Sequence, residues 1–415
     1  MTFVEQNLVS LKESELAIAK QFYLNYHFIQ LYYKWVLQCL STEGEIVVMS
    51  INMLKILLDA FERIESLLSE NYMNSIAQTP LSWEAKYSHW WRKRINGALG
   101  KIGIRIVSLR QYYDSGHDPQ ASASSIQSLQ EVIKSPARFD AIYNLLEDDE
   151  SKKTFIWFIQ YRVAYALLGN KAKTVYPPPV DLLRWKKYTT DIEASKLRKD
   201  IYKVGPYRIH CTDNNALISS WLEEVYRLKG TCEPEKGDWI IDGGAFQGDT
   251  ALWFSNLVGP EGQVFAFEPF SDNYKILIEN LERNKITNVT PVPKAMYNQS
   301  GVYAIAGDGQ GAMLVKGNAH NNIETISIDE YTQLQNCPRV DFIKMDIEGA
   351  EVPALEGAIN TIQKYSPKLA ISVYHKGSDI VEIPELIKRI QPNYKLYLRH
   401  RSDSWVDTVL YAVAR

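Results

Sequence analysis

The stretch Asp238-Trp-Ile-Ile-Asp242-Gly243-Gly244-Ala-Phe-Gln-Gly248-Asp249-Thr250 constrains this chain more than any other. An apolar run ends in an acid, a glycine-rich turn follows, and a helix begins near Asp249. That order reads as a first β-strand feeding a ligand loop at the carboxyl edge of a sheet. Glycines in such a loop let the backbone approach a ligand closely and take positive φ. The next apolar run, Gln263 to Phe267, ends at Glu268, twenty positions past Gly248. This is the spacing of an acid that accepts the two hydroxyls of a ribose.

Two ligand classes use a loop of this kind. A dinucleotide places its pyrophosphate on the helix N-terminus. S-adenosylmethionine brings no phosphate there, only an ammonium and a cationic sulfur. Asp242 and Asp249 flank the turn, and carboxylates there would favour the cationic ligand by about 1 kcal/mol or more at short range. The spacing Asp242-x-Gly244-x-x-x-Gly248 also departs from the dehydrogenase pattern G-x-G-x-x-G. The sequence therefore points to S-adenosylmethionine. Its candidate binding residues are Asp242, Gly243, Gly244, Ala245, Gly248, Asp249, Thr250, Glu268, Pro269, Ala295 and Asp346.

A further apolar run, Val340 to Met345, ends among acids at Asp346, Glu348 and Glu351, and another, Leu369 to Val373, leads into Tyr374-His375. Beside the first strand, these ends would face the methyl group to be transferred. An alcohol is a poor nucleophile at neutral pH, so a hydroxyl acceptor needs a base or a metal. His375 is the candidate general base, because an imidazole titrates near neutrality. Asp346 and Glu348 are the other candidate catalytic residues, orienting the acceptor. If Mg²⁺ takes part, Asp346, Glu348 and Glu351 are its candidate ligands. Glu351 also reads as a helix cap or salt-bridge partner, and Lys344 as a structural residue or a partner to these acids.

The rest of the chain frames this half. Of 415 residues, 46% are hydrophobic and 23% charged, with a net charge of −3, so nothing global draws the chain to nucleic acid or an anionic membrane. No uninterrupted apolar run is long enough for a membrane span, and the N-terminus lacks signal-peptide character. Four cysteines without metal-ligand spacing suit free thiols and a cytoplasmic protein. Residues 1 to about 135 carry helical periodicity, as at Leu8 to Phe22 and Ile46 to Tyr72, with an aromatic and basic cluster from Trp83 to Arg94. Ser115 to Ser128 reads as a mobile connection. We therefore expect an α-helical N-terminal region over 1–200, with lead-in helices from about 139, and an α/β domain over 201–415. The N-terminal helices suit substrate binding, a partner or a homodimer. Tyr394 to Arg399 and Trp405 to Val413 flank a short polar link and predict a C-terminal antiparallel hairpin.

With these residues in hand, the chain resembles the FkbM family of methyltransferases. The likeness rests on Asp242 to Thr250, Phe267-Glu268-Pro269, Asp341-Phe-Ile-Lys-Met-Asp346-Ile-Glu-Gly-Ala-Glu351 and Ser372-Val-Tyr-His375. A looser likeness begins near Leu146, so it spans roughly residues 143–415. One departure is Gly243, where many members carry a β-branched residue. The resemblance implies a class I, Rossmann-like methyltransferase sheet. It also implies methyl transfer from S-adenosylmethionine to a hydroxyl oxygen of a sugar, glycoconjugate or natural product. N-methylation of a small metabolite or peptide, a non-catalytic S-adenosylmethionine-binding scaffold, and a weaker NAD-dependent reading are the alternatives.

Overall fold

A computed structural model describes residues 119–306, 313–315 and 322–414. The expected helices before residue 119 and the Trp83–Arg94 cluster lie outside the described residues. The chain divides into two compact units, one of residues 1–122 and 163–175, the other of residues 123–162 and 176–415. The second unit carries every element discussed below, apart from the ends of two helices.

Helices α1 (Pro119–Lys134), α2 (Pro136–Leu145), α3 (Asp149–Leu168) and α4 (Leu182–Ala194) lead into a small antiparallel sheet of β1 (Lys196–Arg198), β2 (Ile201–Val204) and β3 (Tyr207–His210). The α/β alternation follows: β4 (Trp239–Gly243), α5 (Asp249–Val258), β5 (Gln263–Phe267), α6 (Ser271–Arg283), β6 (Val289–Val292). Next come β7 (Ala295–Met296), β8 (Gly301–Ala306), β9 (Met313–Val315) and β10 (Asn322–Ile326), which pair in the order β7-β10-β8-β9. The chain closes with α7 (Ile328–Leu334), β11 (Phe342–Met345), α8 (Glu351–Glu356), α9 (Ile359–Tyr365), β12 (Lys368–Ser372), α10 (Asp379–Ile390), β13 (Tyr394–His400) and β14 (Thr408–Ala414).

The central sheet has the order β13-β14-β12-β11-β4-β5-β6. From β12 to β6 the strands are parallel. β14 runs antiparallel to both β12 and β13, pairing with β13 from Tyr394↔Ala414 to His400↔Thr408. A parallel sheet is covered on both faces, so its strands read as continuous apolar runs rather than alternating ones. Ile240, Ile241, Phe342, Ile343, Ala370 and Ile371 are accordingly all fully buried. Burying one such Ile or Phe side chain contributes about 1.5–3 kcal/mol relative to exposure.

The topology sets the site. β11 lies beside β4 in the register Lys344↔Asp242 and Met345↔Gly243, so both strands end at the same level. Whatever follows Gly243 and Met345 must share one edge of the sheet.

The serine-rich segment after Ser115 differs from expectation. From Pro119 it is helix α1, not a mobile connection. Ser124, Ser125 and Ser128 are buried. Small side chains let the helix approach backbone: Ser128 Oγ donates to Gly377 O at 3.3 Å, and Gly377 N donates to Gln127 Oε1 at 2.9 Å. A Cβ added at Gly377 would stand 2.2 Å from Ser128 N. A run of serines marks a loop when solvated and a close-packed helix when it faces main chain.

Cys211, Cys232 and Cys337 are buried free thiols, and burial pushes Cys232 up to about 12. Among the described residues, no helix is long and apolar enough to cross a membrane.

Candidate active site

The glycine turn is held by backbone. Gly244 N and Ala245 N donate to Phe267 O at 3.0 and 2.9 Å, and Gly248 N donates to Ala245 O at 2.8 Å. Gly244 has φ +76° and Gly248 +89°. A Cβ at Gly244 would lie 1.9 Å from the Asp346 carbonyl oxygen, so only glycine fits where the turn crosses the end of β11. Asn280 fastens the turn from outside, donating to Gln247 O at 2.8 Å and to His210 O at 2.7 Å. Met296 borders the loop, its Sδ 2.8 Å from a Cβ added at Gly243.

Glu268 follows β5 and is 4% exposed. Its Oε1 accepts from Phe270 N at 2.8 Å, across Pro269. Burial pushes its pKa up to about 7, against the lowering effect of that hydrogen bond. Ligand hydroxyls donated to this carboxylate would favour its ionised form.

The turn's other acids do not stand as the charge argument requires. Asp242 is fully buried; its Oδ1 lies 3.2 Å from Lys344 Nζ, and its Oδ2 accepts from Thr250 Oγ1 at 2.7 Å. Lys344, 1% exposed, also donates to Gly243 O at 2.9 Å and Gly244 O at 2.7 Å. The Asp242 charge is thus matched by a lysine from the neighbouring strand, and the pair stiffens the turn. Asp249 is also buried, and burial raises it to about 7. The argument that bare loop carboxylates exclude a pyrophosphate is therefore corrected: one is paired and the other is half-neutral near pH 7. Of the two readings of Lys344, a structural residue or a partner to the strand-end acids, the structural one fits, its ion pair being with Asp242.

Across the turn, Asp346, Glu348 and His375 come together. His375 Nε2 lies 3.3 Å from Asp346 Oδ1 and 3.7 Å from Glu348 Oε2. His375 Nδ1 lies 2.9 Å from Glu351 Oε1, off the line of a good hydrogen bond. Glu351 is fully buried and accepts from Ile347 N at 2.9 Å, turning the chain from β11 into α8. Glu348 takes a positive φ of +56° and keeps 38% of its side chain exposed at the mouth of the cluster.

This environment bears on the base role expected of His375. Burial pulls the imidazole pKa down, but Glu351, then Asp346 and Glu348, outweigh it and hold the ring at about 10. A neutral imidazole is what a general base needs near pH 7. His375 is instead held as an imidazolium here. Asp346 changes in the opposite sense: burial raises it, but His375, then Lys344 and two phenols, hold it below the usual carboxylate range.

Those phenols were missed from sequence. Tyr226 Oη donates to Asp346 Oδ2 at 2.6 Å, and Tyr374 Oη to Oδ1 at 2.9 Å. Tyr226 lies 120 positions upstream in a connecting loop, and nothing local marks it. Tyr374 was within reach, being adjacent to His375, but strand alternation would send neighbours to opposite faces. The strand has already ended at Ser372, so both rings turn to one side, 4.2 Å apart. Asp407 was missed too. It precedes β14, accepts from Ser219 Oγ at 2.8 Å, and is raised to about 7 by burial and by Asp346. Among the described residues, Asp346, Glu351 and His375 form the group whose ligand atoms could surround a metal ion; Glu348 is not part of it.

The chain is similar to several known proteins. Residues 242–396 match the family described as the Methyltransferase FkbM domain. The matched stretch runs from the acid before the glycine turn to β13, so this part of the chain is similar to FkbM methyltransferase domains. A curated relative, Hexuronic acid methyltransferase AglP of Haloferax volcanii, is 28% identical over 201 residues, covering 45% of this chain and 80% of that protein. Methyltransferase FkbM from Methylobacillus flagellatus is 20% identical with a TM-score of 0.48, covering 70% of this chain and 62% of that one, under two thirds of its length. Fibrillarin from Aeropyrum pernix, solved with S-adenosyl-L-methionine, is 16% identical with a TM-score of 0.31, covering 46% of this chain and 76% of that one.

Proposed function

We propose that this chain transfers a methyl group from S-adenosylmethionine to a hydroxyl oxygen of a sugar in a glycoconjugate, a hexuronic acid being the first acceptor to test. The observation that carries the reading is the contact of Gly244 with the Asp346 carbonyl. It brings the glycine turn beside the end of the strand that leads into Asp346. The relative AglP, whose name states a hexuronic acid acceptor, supports the sugar class.

The residues present fit the cofactor. Gly244 and Gly248 leave the turn without a side chain at those two positions, and Glu268 is a buried acid suited to two hydroxyl donors. Asp242, Gly243, Ala245, Asp249, Thr250 and Pro269 shape that turn or its flanks, and Ala295 is a further residue assigned to the cofactor. The cofactor supplies an electrophilic methyl on a good leaving group. This chain's residues must align the acceptor and give its proton a destination, the latter worth about 10²–10⁴-fold. Asp346, fixed by two phenols, orients the acceptor hydroxyl. Glu348, at the exposed mouth, is assigned the proton. His375 supplies positive charge that keeps Asp346 ionised.

Mass spectrometry of purified protein with S-adenosylmethionine and a panel of hexuronic acids, neutral hexoses and amines tests this. A gain of one methyl on a sugar hydroxyl is expected. Methylation confined to amines would overturn the oxygen assignment.

A further inference from the structure

We propose that the link between β13 and β14 is the acceptor subsite: Asp407 accepts a hydrogen bond from a second hydroxyl of the sugar, beside the one that Asp346 orients, and Trp405 lies along the sugar ring. The inference rests on the sugar reading above and names the residues that would choose among sugars. The fold brings this link to the site. β14 pairs with β12 in the register Ser372↔Val409, and Val373 N donates to Thr408 O at 3.0 Å, so the residue before Thr408 arrives level with Tyr374. Tyr374 Oη donates to Asp346 Oδ1 at 2.9 Å, and the Trp405 ring stands edge-on to the Tyr374 ring at 5.9 Å. Trp405 remains partly exposed.

Asp407 is 7% exposed and has one oxygen fixed. Its Oδ2 accepts from Ser219 Oγ at 2.8 Å, while Oδ1 has no hydrogen-bond donor among the described residues, so one acceptor oxygen remains for a ligand. The Asp407 charge acts on Asp346, Tyr226 and Tyr374, the groups at the acceptor side of the cluster. The backbone at Asp407 takes a φ of +63°, a conformation uncommon outside glycine and found at ligand clamps. A second element ties the same residues together. Ile218–Leu222 form a π-helical turn, a rare geometry that recurs at functional sites. Ser219 of this turn holds Asp407, Trp221 Nε1 donates to Asp249 O at 3.1 Å, and Tyr226 just beyond donates to Asp346 Oδ2 at 2.6 Å. One short segment thus fixes both carboxylates against the helix that follows the glycine turn. A sugar presents neighbouring hydroxyls on its edge and C–H groups on its face; carboxylates accept from the first and an indole covers the second.

Initial rates of the full-length protein with S-adenosylmethionine, methyl glucuronoside and each of its monodeoxy analogues test the subsite in wild type, D407N and W405A. Besides the analogue that lacks the methylated hydroxyl, wild type should lose about tenfold to a hundredfold in kcat/KM on the one that lacks the hydroxyl held by Asp407. D407N should lose a similar factor on the parent sugar and then treat parent and that analogue alike, the non-additivity of two changes at one contact. W405A should raise KM on every sugar by a common factor. S-adenosylhomocysteine affinity, read by calorimetry, should match wild type in both variants, which separates a lost subsite from a misfolded chain. Should D407N misfold, D407G tolerates the positive φ and removes the carboxylate outright. A folded D407N that slows the parent and every analogue by one common factor would overturn the proposal, and so would wild-type kinetics on all the sugars. In either case sugar methylation by the wild type leaves the methyltransferase reading standing. Wild-type protein that binds S-adenosylhomocysteine but methylates none of the sugars overturns both the subsite and the sugar reading.

Discussion

The Cα of Gly244 passes so close to Asp346 that a Cβ there would stand 1.9 Å from the Asp346 carbonyl oxygen. The obstructing atom is main chain at the end of β11, so no rotamer change relieves it. The residue also has φ +76°, where a side chain adds strain of about 1–3 kcal/mol. Gly244→Ala should lower stability by about 3 kcal/mol or more and abolish binding of S-adenosylhomocysteine. Denaturant unfolding and calorimetry on one sample check both.

Glu268 makes cofactor affinity depend on pH. Burial raises its pKa to about 7 without ligand, so the protonated acid is the stable form below that pH. This stabilisation is complete below the ordinary carboxyl range and is lost as pH rises through 7. Ribose hydroxyls would favour the carboxylate, so binding must expel the proton at low pH. S-adenosylhomocysteine should bind roughly tenfold more weakly at pH 6 than at pH 8. Glu268→Gln should flatten that dependence and weaken binding by about 1.5–3 kcal/mol. Equal affinities at both pH values would remove Glu268 from the ribose role.

The carboxylates around His375 predict what the activity profile lacks. A histidine base would give kcat an ascending limb around pH 6–7. With the ring held at about 10, no such limb should belong to His375 at saturating cofactor. His375→Asn should therefore lower kcat without changing the shape of its pH profile. Asp346→Asn should cut kcat by about 10²-fold with little change in S-adenosylhomocysteine affinity.

Arg162 supports the site from behind. It is 1% exposed, donates to Tyr374 O at 2.5 Å and Ser124 Oγ at 2.9 Å, and stacks over Phe158 and Trp405. Arg162→Met keeps much of the volume and removes the charged donors. A loss of about 1–3 kcal/mol per lost bond is expected, read by denaturant unfolding. Wild-type stability would show that these bonds contribute nothing net.

Helix α1 gives a prediction about chain length. A chain beginning at Phe139 would lack Ser124, Gln127 and Ser128, which hold the Tyr374–Gly377 segment. It should melt several degrees lower than the full chain, at roughly 2–4 °C per kcal/mol lost. An unchanged melting temperature and cofactor affinity would show that the sheet and its edge stand without α1.

Much of the site was legible because short sequence spans encode it. The turn from Asp242 to Gly248 needs glycines where φ is positive, and a strand buried on both faces needs an unbroken apolar run, so both leave local marks. The strand-end acids and His375 were found because each run stops at them. Ionisation states were beyond the sequence. Glu351, Asp346 and Glu348 surround His375 and raise its pKa, and Asp242 is paired with Lys344 from the next strand. Charge in a buried site depends on distances between segments, and only tertiary packing sets those distances. The same holds for Tyr226 and Asp407, which reach the cluster from elements far apart in the chain. The sequence by itself determined the turn, the parallel strands and the class of reaction they suit. The tertiary structure decided which groups carry protons and charge, because Coulomb and desolvation energies are fixed by neighbours in space rather than in sequence.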